Sequence, residues 1–336
     1  MQFRKLLYNS LDERAQAHID QLRYKLGLLP RVNPQAKARK NNWLPVPYKA
    51  CLVISADFEL AWAWRYMRVP LDEALQKARQ TRQNIPALLA LFDRYEIPVT
   101  WATVGHLFLE NCTGENERVH PEMPRPAYFE NEFWRFQQGD WYDHDPATSL
   151  ARSPEWYAPD LIRDILAAKV KHEIACHTFS HIDCSDEHCP PELMDAELAE
   201  CQRLAQAWGI DLKSFVFPAN LGGNYASLKK DGFTNYRFQS RYHLGLPEQD
   251  EYGLWRIPGG VQWEKPAGWT AEAWIKAMKR CIDRAIETGT VLQLWFHPSC
   301  ESVNVQVVFS EILQYLKTRQ EQVIVLTLGE LVDQLG

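Results

Sequence analysis

The chain has 336 residues, 46% of them hydrophobic, which is enough to bury a sizeable core as one barrel-sized domain or two smaller ones; one is favoured. A formal net charge of −6 gives no general basic field and argues against nucleic acid as the main partner. Eight cysteines, at positions 51, 112, 176, 184, 189, 201, 281 and 300, are scattered along the chain, and most read as small buried hydrophobes rather than disulfide staples.

The N-terminal MQFRKLLYNSLDERAQAHIDQLRYKLGLLP spaces apolar residues as a helix does, with charges every few positions, so it has no signal-peptide core. No segment approaches the ~20 apolar residues of a membrane span, and cytoplasmic residence is expected. Residues 1–47 read as this amphipathic helix and a linker closed by Pro45 and Pro47; the basic stretch RVNPQAKARKNNW (31–43) belongs to the solvated linker. Residues 48–336 then make the main domain. ACLVISA (50–56) is a short buried strand, NIPALLALFDRY (84–95) a helix with Asn84 as cap and Pro86 in its first turn, and IPVTWATVG (97–105) a second strand. Strand, helix, strand is the unit of a parallel sheet.

From about 107 to 152 the periodicity stops, and an insertion rich in Glu, Asn, Pro and aromatic residues follows; loops of this length are usually functional. SPEWYAPDLIRDILAAKV (153–170) restores a helix, with Ser153 and Pro154 as its start, and HEIACH is the third strand. Next come a helix at 190–208, a strand at 214–218, a short helix near 224–231, and strands near 234–238 and at 254–258. A helix at 270–288, a strand at 291–297, a helix at 304–319 and a strand at 323–328 complete the chain. Seven or eight strands alternating with helices define a β/α barrel.

Barrels of this kind build their sites at the C-terminal ends of the strands. Asp57, Glu59, His106, His177, His181, Asn220 and His297 all lie at or just beyond the ends of predicted strands. In HEIACHTFSH (172–181), His172 and His177 are five apart and would not share a helix face, so this is not a helical HExxH site; His172 reads as a packed strand residue. His177 and His181 straddle the strand end and its turn, where one loop can curl around an ion. Zinc takes imidazole and carboxylate ligands, three from the protein in a catalytic site.

ISADFELAW, IPVTWATVG, HEIACHTFSH and LQLWFHP together resemble the polysaccharide deacetylases of carbohydrate esterase family 4, the NodB-like domain, over roughly residues 48–330. The resemblance implies a distorted (β/α)7 barrel and metal-dependent removal of an N- or O-acyl group, usually from acetylated sugars. It makes His177 and His181 the histidine ligands, Glu59 the carboxylate ligand, Asp57 the base and His297 the general acid. The family generally has two adjacent aspartates where this chain has Asp57-Phe58-Glu59, so Asp57 as the ligand with Glu59 behind it stays open. The family's Arg-x-Pro motif should fall at VFPAN, where Val216 stands, and Arg256 of RIPGG is the candidate replacement.

The expected cofactor is one divalent ion, zinc foremost, with cobalt, nickel and manganese compatible with two imidazoles and a carboxylate. The expected substrate is an acetylated carbohydrate; a small cyclic amide or ureide is the alternative, and a sugar-binding barrel without turnover the second. The aromatic clusters AWAWRY (61–66), FWRF (133–136) and WY (141–142, 156–157) read equally as core packing or as a groove for sugar rings. Trp62, Trp64, His106, Trp141, His144 and Asn220 are the candidates for touching substrate. Cys184, His188 and Cys189 match no standard zinc spacing and read as a loop lining the site. The sequence leaves the oligomeric state open.

Overall fold

The computed structural model describes residues 13–36, 43–67, 69–115 and 118–336. Eight strands carry the barrel: β1 (Ala50–Phe58), β2 (Thr100–Thr103), β3 (Glu173–Cys176), β4 (Ser214–Val216), β5 (Asn235–Phe238), β6 (Trp255–Pro258), β7 (Val291–Phe296) and β8 (Val323–Leu326). The helices are α1 (Glu13–Lys25), α2 (Leu71–Tyr95), α3 (Pro159–Ala167), α4 (Pro191–Ala207), α5 (Tyr225–Lys230), α6 (Ala271–Thr288), α7 (Ser310–Lys317) and α8 (Leu328–Leu335). From β7 through β1 to β6 the order is β7-β1-β2-β3-β4-β5-β6, every pair parallel, in a sheet that curls without closing. The expected α/β barrel of distorted (β/α)7 type is borne out in this form.

Along one edge β1 pairs first with β8 (Ala50–Val53) and then with β2 (Ser55–Phe58), so its neighbour changes half-way. Alternate residues of β1 face opposite sides. Leu52, Ile54, Ala56 and Phe58 join the large core beneath the helices, whereas Cys51 and Val53 join Ala102, Val216, Ile257 and Val291 inside the barrel. Continuing that inward row upward gives Ser55 and Asp57. Polar residues on the inward row can only sit near the end where chemistry happens or be satisfied internally, and both occur here.

At the opposite end, α8 closes the barrel. Glu173 accepts from Ser214 Oγ (2.5 Å), Thr100 Oγ1 (2.7 Å) and the Gly329 amide (3.1 Å) in the first turn of α8. Thr327 starts that helix with a reciprocal capping box to Glu330. No helix is expected here from the sequence pattern, and the structure adds it.

Two helix starts differ from expectation. α2 begins at Leu71, directly after Pro70, with Asp72 and Glu73 in its first turn, so Asn84 and Pro86 lie in its interior. Asn84 is no cap: its buried amide donates to the carbonyls of Pro298 and Cys300, tying α2 to the loop after β7. α3 begins at Pro159 rather than near Ser153. The first part of the expected N-terminal helix and residues 37–42 of the basic stretch lie outside the described residues. No helix among the described residues is long and apolar enough to cross a membrane.

Candidate active site

Asp57, on the inward row of β1, receives two hydrogen bonds from Arg237: Nη1 to Oδ1 at 2.6 Å and Nη2 to Oδ2 at 2.7 Å. Arg237 is fully buried in β5, where it pairs in register with Val216 of β4. It also donates to Ser55 Oγ (3.1 Å) and Asn220 Oδ1 (3.3 Å). Burial alone would raise the Asp57 carboxyl, but the charge and hydrogen bonds of Arg237 outweigh it and hold the group below its ordinary range. The expected replacement, Arg256, does not take part. Its guanidinium is paired with Glu248 at 2.7 Å across the β6 edge, and it lines a separate cavity of about 820 Å³ with Asn33 and Trp255. The physical reason is phase: Arg256 pairs in register with Tyr236, one residue before Arg237, and so points away from the interior. The sequence does carry a signal for Arg237, a cation inside a short buried strand, but not which carboxylate it meets.

Glu59 lies just beyond β1 and is buried, as are His177 and His181. His177 Nε2 is 3.3 Å and His181 Nε2 3.2 Å from Glu59 Oε2. His177 Nδ1 sits 2.7 Å from the carbonyl of Val216. A carbonyl only accepts, so Nδ1 carries the hydrogen, and in the neutral ring Nε2 turns a lone pair toward the carboxylate. Acceptor against acceptor is unfavourable unless a cation lies between them. His181 Nδ1 is buried without a hydrogen-bond partner among the described residues. Two imidazoles and a carboxylate, with one outer partner fixing a ring, fit a divalent ion that keeps a coordination position open.

The loop carrying the histidines is bent. Thr178 (φ 59°) and His181 (φ 55°) are both left-handed, uncommon for residues other than glycine and costly for a β-branched one. The surroundings impose this shape. The amides of Gly105 and His106 donate to the Thr178 and Phe179 carbonyls at 2.8 and 3.0 Å. Ser180 donates from both N and Oγ to Glu197, at 2.7 and 2.6 Å, and accepts from Trp141 Nε1 at 2.9 Å. Arg65, buried between the faces of Trp62 and Trp141, donates to the carbonyls of Ser180 and Trp141. Gly105 is required by close approach: a Cβ there would lie 2.7 Å from Cys201 Sγ and 3.1 Å from Phe179 Cα.

His297 follows β7 on the inward row of Gln293 and Trp295. Its Nδ1 and backbone N both lie 3.0 Å from Glu264 Oε1, and its Nε2 faces Glu59 Oε1 at 3.7 Å. Burial would depress the imidazole, but the Glu264 hydrogen bond and the Glu59 charge overcome it and raise the group to about 9. Sequence reasoning misses Glu264, which follows a two-residue strand (Val261–Gln262) paired beside Leu294 and Trp295.

The substrate candidates divide. Trp62 and Trp141 are buried and hold Arg65, and Trp134 and Trp156 are buried as well, so most of the aromatic clusters are packing and not a displayed groove. His106 is fully buried against Trp62 and turned into the insertion, away from the barrel mouth. His144 packs edge-on against Tyr66. Trp64 is partly exposed, with its ring 6.3 Å from that of His297. Asn220 and Trp295 line a cavity of about 420 Å³ that also touches Gln239, Gly260 and Gln262. His188 pairs with Asp183 (2.7 Å), and Cys184 and Cys189 are buried thiols, as most of the eight cysteines are.

A family model described as polysaccharide deacetylase matches residues 72–235, a span holding His177 and His181. The resemblance carried by the motifs is thus borne out. Among solved structures, a protein from Pseudomonas aeruginosa PAO1 assigned as a polysaccharide deacetylase aligns with TM-score 0.61 at 14% identity, covering 88% of this chain and 94% of that one. A protein from Mycobacterium smegmatis with the same assignment aligns at 0.57 and 13%, covering 87% and 92%. The PuuE allantoinase aligns at 0.60 and 13%, covering 88% and 93%. At these identities the likeness is one of fold. No curated protein matches the chain.

Proposed function

We propose that the chain is a metal-dependent hydrolase that cleaves an acyl carbon–nitrogen bond, removing the N-acetyl group of a carbohydrate. The observation that carries this reading is a division of labour between two carboxylates: Glu59 faces two imidazoles, while Asp57, two residues earlier, is paired with Arg237. Glu59, His177 and His181 would hold a divalent ion, zinc foremost. Such an ion, when bound, acidifies water and stabilises negative charge developing on an acyl oxygen. Asp57 is oriented by Arg237 and retains lone pairs to accept a proton from water. His297, kept protonated by Glu264, can donate to the departing amine, which leaves poorly as an anion. The cationic partner on Asp57 counts against a barrel that only binds sugar.

The second reading, a small cyclic amide or ureide, is favoured by enclosure: Asp57, Glu59, His177 and His181 are all no more than 6% exposed. The allantoinase fold match is consistent with it but shows no activity for this chain. The deciding experiment measures metal content, acetate release from N-acetylglucosamine and its oligomers, and ring opening of allantoin and hydantoin, for wild type and His181→Ala. Acetate release lost in the variant supports the first reading, ring opening alone the second. A wild type unable to hold a stoichiometric divalent metal defeats both.

A further inference from the structure

A second cluster of ligand-type side chains lies outside this site: His106, Cys112, His120 and Asp145, whose ligand atoms all lie within 4.8 Å of one another. His106 stands at the root of the insertion and the other three within it. His106 Nδ1 is 3.2 Å from the carbonyl of Trp156, which only accepts, so in the neutral ring Nε2 presents a lone pair. That nitrogen lies 2.9 Å from Asp145 Oδ2 and 3.1 Å from His120 Nε2, and His120 Nε2 is 3.1 Å from the same oxygen. Cys112 Sγ completes the group at 3.4 Å from Oδ2. One hydrogen on His120 cannot serve both partners, which leaves His106 lone pair against carboxylate at 2.9 Å.

The surroundings aim these atoms inward. The other oxygen of Asp145 accepts from the Ala147 amide (2.9 Å) and Tyr157 Oη (3.2 Å), leaving Oδ2 turned to the imidazoles. His120 has a left-handed backbone (φ 48°), and Arg125 holds that turn by donating to the His120, Met123 and Val119 carbonyls, each at 2.6 Å. Two imidazoles, a thiolate and a carboxylate are a tetrahedral zinc donor set; bond lengths of about 2.0–2.3 Å place such ligands roughly 3.3–3.6 Å apart. The four separations given above, 2.9, 3.1, 3.1 and 3.4 Å, are within a few tenths of an ångström of that range, and no pair in the group exceeds 4.8 Å.

The geometry points to a second, structural zinc site formed by His106, Cys112, His120 and Asp145, distinct from the Glu59 centre and fastening the insertion to the barrel. Four protein ligands leave no open position, so the ion's role is mechanical. It reaches the catalytic loop through Phe179, whose carbonyl accepts from the His106 amide at 3.0 Å and whose ring lies 5.2 Å from that of His120.

Only this site has a sulfur ligand, which gives the test its discrimination. The full chain, stripped by chelator and reloaded with cobalt, should bind two equivalents and show a thiolate-to-cobalt charge-transfer band in the near ultraviolet. Cys112→Ser should lose the band and one equivalent, whereas His181→Ala should lose one equivalent and keep the band. A wild type that takes up one equivalent with no thiolate band would overturn the proposal and leave a metal-free hydrogen-bonded network; so would a band that survives Cys112→Ser. Should that variant fold poorly, alkylation of wild-type Cys112 decides the matter: zinc should protect it, and equal modification with and without zinc overturns the proposal.

Discussion

Arg237 grips Asp57 with both ends of its guanidinium, from a position paired directly with Val216, the residue that stands where the deacetylase motif would place its arginine. The cation is supplied from the adjacent strand at the same level of the barrel. Removing it should strand a buried carboxylate. Arg237→Ala is therefore expected to cost about 3–5 kcal/mol of stability, read by chemical denaturation, together with loss of turnover. Arg256→Ala, which breaks only a half-exposed pair, should change both little. Because Val216 also faces the interior, the exchange Val216→Arg with Arg237→Val should recover part of what the single loss removes. An exchange no better than Arg237→Ala would mean that the level of the guanidinium does not suffice.

Glu59→Gln keeps the shape of the side chain and removes its charge. Metal content at this centre should fall, and activity should drop by more than the about 10–100-fold typical of a lost outer partner. Titration calorimetry with zinc, compared with wild type, checks the first part. Unchanged affinity would indicate that Asp57 is the carboxylate ligand after all.

His297 must be protonated to act as the acid. Its folded value is raised above the ordinary 6.5 to about 9, so its activity-supporting form is present below that value and lost as pH rises through it. A bound cation offsets the Glu59 charge, which places the alkaline limb of kcat/KM between those two values. In Glu264→Gln the charge that opposes burial is gone, and the limb should move toward lower pH by about a unit, some 1.4 kcal/mol. A limb that stays in place would remove Glu264 from the mechanism.

Gly105→Ala puts a methyl group into Cys201 Sγ and against the Phe179 backbone. A loss of about 1–3 kcal/mol is expected from overpacking, with weaker metal binding because the loop between His177 and His181 is displaced. Adding Cys201→Ala should relieve the sulfur clash and restore part of both, measured by Tm and zinc affinity.

Glu173→Ala acts at the other end of the barrel, leaving donors from Ser214, Thr100 and Gly329 without their acceptor. About 1–3 kcal/mol of stability should be lost, while kcat at low temperature stays near wild type. A selective loss of kcat would show that the two ends are coupled.

The residues legible in the sequence are those just beyond strand ends: Asp57, Glu59, His177, His181 and His297 lie at the barrel mouth because alternation along buried strands fixes which residues face inward. Arg237 and Glu264 escape such reading because their roles depend on which strands are neighbours and in what register, which one chain's letters do not state. His106 follows the expected strand end but does not face the substrate side, since its ring turns toward an insertion whose internal folding leaves no periodicity to read. The same insertion accounts for Trp134 and Trp141: its polar, loop-like sequence suggests display, yet it folds over its own aromatic residues. Asn84 looks like a cap because Pro86 follows it, while Pro70 has already started the helix.

The loop between His177 and His181 is held by partners far away in sequence: Arg65, Gly105, Trp141 and Glu197. Little within the loop itself sustains its left-handed turns, so in folding it must wait until the barrel and the insertion have both assembled. The order reverses under stress. In rising urea, hydrolytic competence should vanish while the helical signal is still intact, making turnover the earliest reporter of partial unfolding in this molecule.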